Sequence, residues 1–275
     1  MPHKLGKLIE GREMIKTPVI DFHTHAGGWA SIGMKFDVPK FIEVMDSSGV
    51  DISCINCIFH GKARRSNDIV SAIVKENPGR FAGVGFVTPH YPDECINELE
   101  RCFDQLGMKF LKIYPDYFGK PVDDPGYYPI FEWADQRNLV IMCHSSYGTG
   151  SVSDSLTSPL RFIGLSDRYP NIRWVLAHSG NDTPGQIQAV TAGQSSPNIF
   201  LETCTSFGAQ GTIEFLVQGV GGDRVLFGSD MPLLDGKFGV GRIVTANISE
   251  DDKKKILGLN AMKLLNIQMN ELPNI

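Results

Sequence analysis

The chain contains no apolar run near the ~18 residues that a membrane-spanning helix needs. Its opening, MPHKLGKLIEGREMIKTP, lacks the apolar h-region of a signal peptide. Both absences point to a cytoplasmic protein without membrane contact, and the sequons at Asn181 and Asn247 then carry little weight. Cysteine is sparse, with six among 275 residues. The cysteines are scattered and mostly lie in apolar runs, as reduced core thiols do. Cys54 and Cys57 form a C-x-x-C, but ISCINCIF reads as a strand. An odd offset there sends the two thiols to opposite faces, so packing is expected rather than zinc or redox chemistry. No excess of positive charge exists: 26 Lys and Arg stand against 31 Asp and Glu, a formal net charge of −5. That gives no sign of a nucleic-acid surface. No polar linker or low-complexity tract divides the chain.

What is present is ordinary globular composition, 42% apolar and 21% charged. A chain of this length buries a large core, and it is close to the roughly 250 residues of a (β/α)₈ barrel. Eight short apolar runs recur, at 19–23, 51–59, 81–87, 110–114, 139–143, 172–177, 199–204 and 224–228. Most are nearly continuous Val, Ile, Leu and Phe, the pattern of parallel strands buried on both faces. Amphipathic stretches follow them. In PDECINELERCFDQLG, Pro92 marks the start, acids fill the first turn and Gly107 follows the end. Cys95, Ile96, Leu99, Cys102, Phe103 and Leu106 make its apolar stripe. ILGLNAMKLLNI reads as a closing helix. Eight strand–helix rounds predict an α/β fold, a single-domain (β/α)₈ TIM barrel over residues 18–275, preceded by an arm or short hairpin over 1–17.

The histidines carry the functional signal. Of seven, five end a strand or lie just beyond it: His23, His25, His60, His144 and His178. In this barrel those ends form one mouth, where active sites sit. In VIDFHTH, alternation points Asp21, His23 and His25 one way and Phe22 and Thr24 the other. Two imidazoles on one inward face suit one metal ion, although a hydrogen-bonded pair gives the same pattern. IMCHSS and VLAHSG each end an apolar strand in His-Ser, where a single His is more often structural. VLFGSDMP ends a buried strand in Asp230, whose charge needs a partner, unless it caps the following helix. Jointly, strands one, five, six and eight deliver metal-compatible groups to one place.

That set, with LFGSDMP and the terminal GLNAMKLLNI, resembles the amidohydrolase superfamily. Within it, the chain looks like the amidohydrolase-related branch of aminocarboxymuconate-semialdehyde decarboxylase-like metal-dependent hydrolases. The resemblance spans roughly residues 18–267. It implies a metal held by His23, His25, His144 and Asp230, with His178 facing the substrate or a metal-bound water. Zinc is the default ion, while manganese, iron and cobalt tolerate these ligands. The first expectation is a hydrolase that cleaves a small amide, ester or lactone through metal-activated water, with Asp230 accepting the proton and His178 stabilising the oxyanion. The alternative is non-oxidative decarboxylation of an unsaturated or aromatic carboxylate, with a protonated Asp or His delivering a proton to carbon. A non-catalytic scaffold is the distant third, because a scaffold has no need of these groups. The family also implies a homo-oligomer.

Lys112 ends the run FLKIYP. It would bridge a second metal if carboxylated. Otherwise it pairs with a barrel carboxylate such as Asp21 or Glu202, or binds an anionic small-molecule substrate, and we expect one of these. FHGKARR puts His60, Lys62, Arg64 and Arg65 near the mouth, either as a carboxylate clamp or as a solvated helix start. Tyr114 and Tyr147, at strand ends, touch substrate or pack the rim.

Overall fold

The eight apolar runs become eight strands: β1 Ile20–His25, β2 Ile52–Asn56, β3 Phe81–Phe86, β4 Phe110–Ile113, β5 Val140–His144, β6 Arg173–Ala177, β7 Ile199–Glu202 and β8 Val225–Leu226. The computed structural model describes residues 17–29, 33–58, 62–147, 155–205 and 208–268. The expected arm over 1–17, apart from Thr17, and His60 lie outside the described residues.

Each strand pairs in parallel with the next, in the order β1 to β8. The ring closes between its ends. Phe22 N donates to Phe227 O, Asp230 N to His23 O and His25 N to Met231 O, at 2.9, 2.9 and 2.7 Å. Helices follow the strands and cover the outside, and the chain is a single-domain (β/α)₈ barrel. Strand eight is shorter than its apolar run, because Phe227 N turns to Ile256 O beneath the closing helix. No helix among the described residues is long and apolar enough to cross a membrane.

The amphipathic stretches fold as their spacing predicts. Pro92–Glu100 is α-helical and continues as a π turn over Arg101–Gln105. Cys95, Leu99 and Cys102 of its stripe are buried against the sheet. The closing segment likewise passes through a π turn, Lys255–Leu259, into the helix Asn260–Leu265.

Two apolar layers hold the sheet. Trp174, Leu111, Ile141 and Leu201 face the helices. Ile20, Cys54, Phe110, Met142 and Val175 fill the barrel interior. Along four strands the interior row changes character two residues on: Cys54 gives way to Asn56, Phe110 to Lys112, Met142 to His144 and Phe200 to Glu202. Interior positions share a face at this spacing. The lower barrel is therefore packed hydrocarbon and the upper layer is polar, which confines chemistry to the C-terminal mouth.

Cys54 joins the interior layer and Cys57 the outer one, as their odd spacing predicts, and all six cysteines are buried thiols. Strict alternation fails in β1. Its register against β2 shifts between Asp21 and Thr24. Phe22 therefore points inward and stacks on Phe110 at 4.4 Å, while His23 reaches Lys112. A bulge of this kind re-aims side chains next to active sites.

Candidate active site

Three of the four expected ligands converge. His25 Nε2 lies 2.8 Å from Asp230 Oδ1, and His23 Nε2 lies 3.5 Å from the same oxygen. One ligand atom from each of His23, His25 and Asp230 falls within 4.8 Å of the others, and all three residues are buried. Two imidazoles and one carboxylate are a donor set that divalent transition metals accept. His144 faces the same cavity, with its ring 4.8 Å from that of His178. It stands outside the tight cluster. The Nδ1 atoms of His144 and His178 are buried and have no hydrogen-bond partner among the described residues. Buried imidazole nitrogens rarely go unpaired, and both are lone-pair or proton donors held in reserve. The residues fit a divalent ion.

The buried carboxylate Glu202 organises the floor. Its Oε2 accepts from His178 N at 3.0 Å and meets His23 Nδ1 at 3.1 Å, while its Oε1 accepts from Cys204 N. Gly228 makes room for it: a Cβ there would lie 2.1 Å from Glu202 Oε1. His23, His178, Glu202 and Cys204 form a second compact group of donors. We read that group as a hydrogen-bonded network, because both oxygens of Glu202 are already committed. Lys112 is fully buried, with Nζ 3.1 Å from His23 Nε2. This corrects the expected carboxylate partner. Asp21 is held instead by Ser229 N and Oγ and by His23 N.

Burial sets the charge states. It pushes the pKa of His23 and His144 well below the usual imidazole range and that of His178 down to about 4. Neutral imidazoles are the form that binds metal. Burial alone would raise Asp230, but the adjacent His23 and the hydrogen bond from His25 outweigh it and keep the group a carboxylate. Burial lowers Lys112 and raises Glu202, and it lifts Asp21 to about 8.

Three serines fix the strand ends. Ser145, after His144, donates to Ala177 O and accepts from Gly180 N. Ser179, after His178, donates to Glu202 O. Ser229, before Asp230, is bound to Asp21. His178 and Asp230 both have φ of 66°. A non-glycine residue pays for that left-handed conformation, and such residues cluster at functional sites.

Among the described residues, a cavity of about 180 Å³ opens over this floor, lined by His23, His25, His144, His178 and Asp230 and walled by Trp29, Tyr114, Tyr117, Ile58, Asn181 and Leu233. Tyr114 stacks on His144 at 4.8 Å and on Tyr117 at 4.3 Å. Tyr114 is thus at the site. Tyr147 is exposed and outside that lining. Lys62 and Arg64 line a different cavity, of about 560 Å³, beside Glu94 and Glu98. The sequence reading had no role for Asn56, whose Oδ1 meets His25 Nδ1 at 3.0 Å. It named Glu202 only as a partner for Lys112. The available signal was the same for both: a polar residue inside an apolar run.

A family model described as amidohydrolase matches residues 57–267. The chain belongs to the amidohydrolase family. It is thereby an enzyme of that family, which sets the scaffold reading aside. It is 26% identical to 2-amino-3-carboxymuconate-6-semialdehyde decarboxylase of Dictyostelium discoideum, over 76% of this chain and 67% of that one. It is 24% identical to gamma-resorcylate decarboxylase of a Polaromonas species, over 74% and 76%. Among solved structures, 5-carboxyvanillate decarboxylase of Novosphingobium aromaticivorans, complexed with manganese and 4-hydroxy-3-methoxy-5-nitrobenzoic acid, shares the fold. Its TM-score is 0.75 at 20% identity, covering 92% of this chain and 97% of that one.

Proposed function

We propose that this enzyme is a divalent-metal-dependent, non-oxidative decarboxylase of a small aromatic or unsaturated carboxylate. The observation that carries the reading is the cluster His23, His25 and Asp230 at the floor of a narrow cavity with aromatic walls. A conjugated acid suits that lining, because Trp29 and Tyr117 bring aromatic surface to the cavity while Tyr114 is already stacked between Tyr117 and His144. Two relatives named as decarboxylases favour this alternative over hydrolysis, the first expectation from the sequence. The structural neighbour carries manganese, so manganese stands beside zinc as a metal for this site.

His23, His25 and Asp230 would hold the ion, with His144 completing the set. The ion supplies the positive charge that binds and orients the substrate's oxygens. Asp230 remains a carboxylate and is a poor acid. We therefore assign proton delivery to His178, as the imidazolium. Burial keeps His178 neutral at rest, so it would take up a proton from solvent as the substrate anion enters, and its protonated form is a strong acid. Asp230 and Glu202 both favour that protonated form, and an arriving substrate anion adds to them. The proton passes to the carbon that bears the carboxylate. The bond to the carboxyl carbon then breaks, its electron pair returns to the conjugated system, and CO₂ leaves.

The test is product analysis of the manganese-loaded and zinc-loaded protein on a panel of hydroxybenzoates and unsaturated carboxylates, beside amides, esters and lactones. Loss of CO₂ from at least one acid is the expected result. Hydrolysis of the neutral panel with every acid intact would return the enzyme to the hydrolases.

A further inference from the structure

We propose that Glu202 is the positioning residue that sets the tautomer of His23 and, through the same oxygen, the place of His178. The inference rests on the metal site of the proposed function and adds a residue to it that touches neither metal nor substrate.

His23 has two ring nitrogens with opposite duties. Nδ1 faces Glu202 Oε2 at 3.1 Å, and Nε2 faces Lys112 Nζ at 3.1 Å and Asp230 Oδ1 at 3.5 Å. Both Glu202 oxygens already accept backbone N–H bonds, from His178 and Cys204, which favours the carboxylate against the pull of burial, and toward a carboxylate Nδ1 must donate. Nε2 then keeps its lone pair and turns it toward Lys112 and Asp230, the side on which the ligand atoms gather. Lys112 Nζ favours the same lone pair from the Nε2 side, but without Glu202 the proton on Nδ1 loses its acceptor and its hold on that nitrogen. The proton on one nitrogen thus decides what the other can bind.

The same Oε2 accepts the backbone N–H of His178 at 3.0 Å, and Oε1 accepts that of Cys204. The first bond matters because His178 sits in the left-handed region at φ 66°. Such a conformation persists only where its surroundings over-determine it. Ser179 Oγ adds a bond to Glu202 O, so both main chain and side chain of Glu202 grip the turn. One residue on β7 therefore joins the β1 ligand to the β6 acid. Its room is built in, since any side chain at position 228 would strike its carboxylate.

The experiment uses the full chain, ¹⁵N-labelled at histidine and free of metal, together with a manganese titration followed by the signal of free Mn²⁺. In the wild-type spectrum His23 should carry its proton on Nδ1, with a strongly downfield Nδ1–H. In Glu202→Gln a neutral acceptor replaces a charged one, and one amide oxygen cannot serve three N–H donors. That signal should move upfield or vanish, and manganese affinity should fall about tenfold or more. A residue with only a packing role would lower Tm and leave both readouts alone. A wild-type His23 protonated on Nε2 overturns the proposal, even if the variant fails to fold. So does a folded Glu202→Gln that binds manganese within about twofold of wild type. Neither readout involves turnover. A protein that meets both and releases no CO₂ loses the proposed function and keeps the role of Glu202.

Discussion

His25 Nε2 lies 2.8 Å from Asp230 Oδ1, across 205 residues of sequence. The pair spans the seam where the first strand meets the end of the eighth, beside the bonds from Asp230 N to His23 O and from His25 N to Met231 O. Closing the barrel and assembling the ligand cluster are one event. A metal bound there stabilises the closed barrel by mass action, since the unfolded chain offers no such site.

Metal binding is accordingly the first prediction. His25→Ala should lower manganese or zinc affinity at least tenfold, the cost associated with disturbing a ligand shell, and should abolish most of the rise in Tm that metal gives the wild type. Unchanged affinity and an unchanged thermal shift would remove His25 from the site.

One metal per chain is the second. Lys112 directs Nζ to His23 Nε2, and the other donor group that includes His23 is already tied up in hydrogen bonds. Metal analysis should give one equivalent, and the intact mass should show Lys112 unmodified. Two equivalents with a carboxylated Lys112 would make the centre binuclear.

His178→Asn should retain metal and lower kcat about a hundredfold or more, the scale for a lost acid–base group. Asparagine keeps a polar side chain but cannot deliver the proton. Wild-type turnover in that variant would assign the proton to another group.

Much of this was legible in the sequence, and the limits have physical reasons. Parallel strands buried on both faces read as unbroken apolar runs, so all eight could be seen. His23, His25, His144, His178 and Asp230 stood out because each interrupts or ends such a run. Glu202 and Lys112 interrupt runs too, but their partners lie on other strands and no spacing announces them. Phe22 was assigned to the wrong face because the β1 bulge depends on pairing with β2. Arg64 looked close to the mouth, yet the helix Ala63–Glu76 carries it to a separate cavity. The serines beside His144, His178 and Asp230 were visible as letters, while their grip on neighbouring strands needed three dimensions.

Glu98 shows the same kind of hidden pairing and gives an acid-stability prediction. Arg101 donates to both its oxygens and Asn67 to one, while Asn67 also binds Phe86 N and O. Burial alone would raise the Glu98 pKa, but these bonds outweigh it and hold the carboxyl below its usual value. A depressed folded value means the stabilisation is full above the unfolded pKa, about 4.3, and is lost as pH falls through the folded one. Glu98→Gln should cost about 2 kcal/mol at pH 7, the scale of hydrogen bonds to a charged group, and flatten the acid limb of Tm against pH. Parallel acid limbs in the two proteins would show that Glu98 contributes nothing to acid lability.

The central claim is metal-dependent decarboxylation at His23, His25 and Asp230. Its most direct test is the release of ¹³CO₂ from carboxyl-labelled hydroxybenzoates, 2,6-dihydroxybenzoate among them, by protein stripped with chelator and then reloaded with manganese. The account predicts release from the reloaded wild type on at least one acid, none above background from the stripped protein, and none from reloaded His25→Ala. Equal release with and without metal, or from His25→Ala, would contradict it.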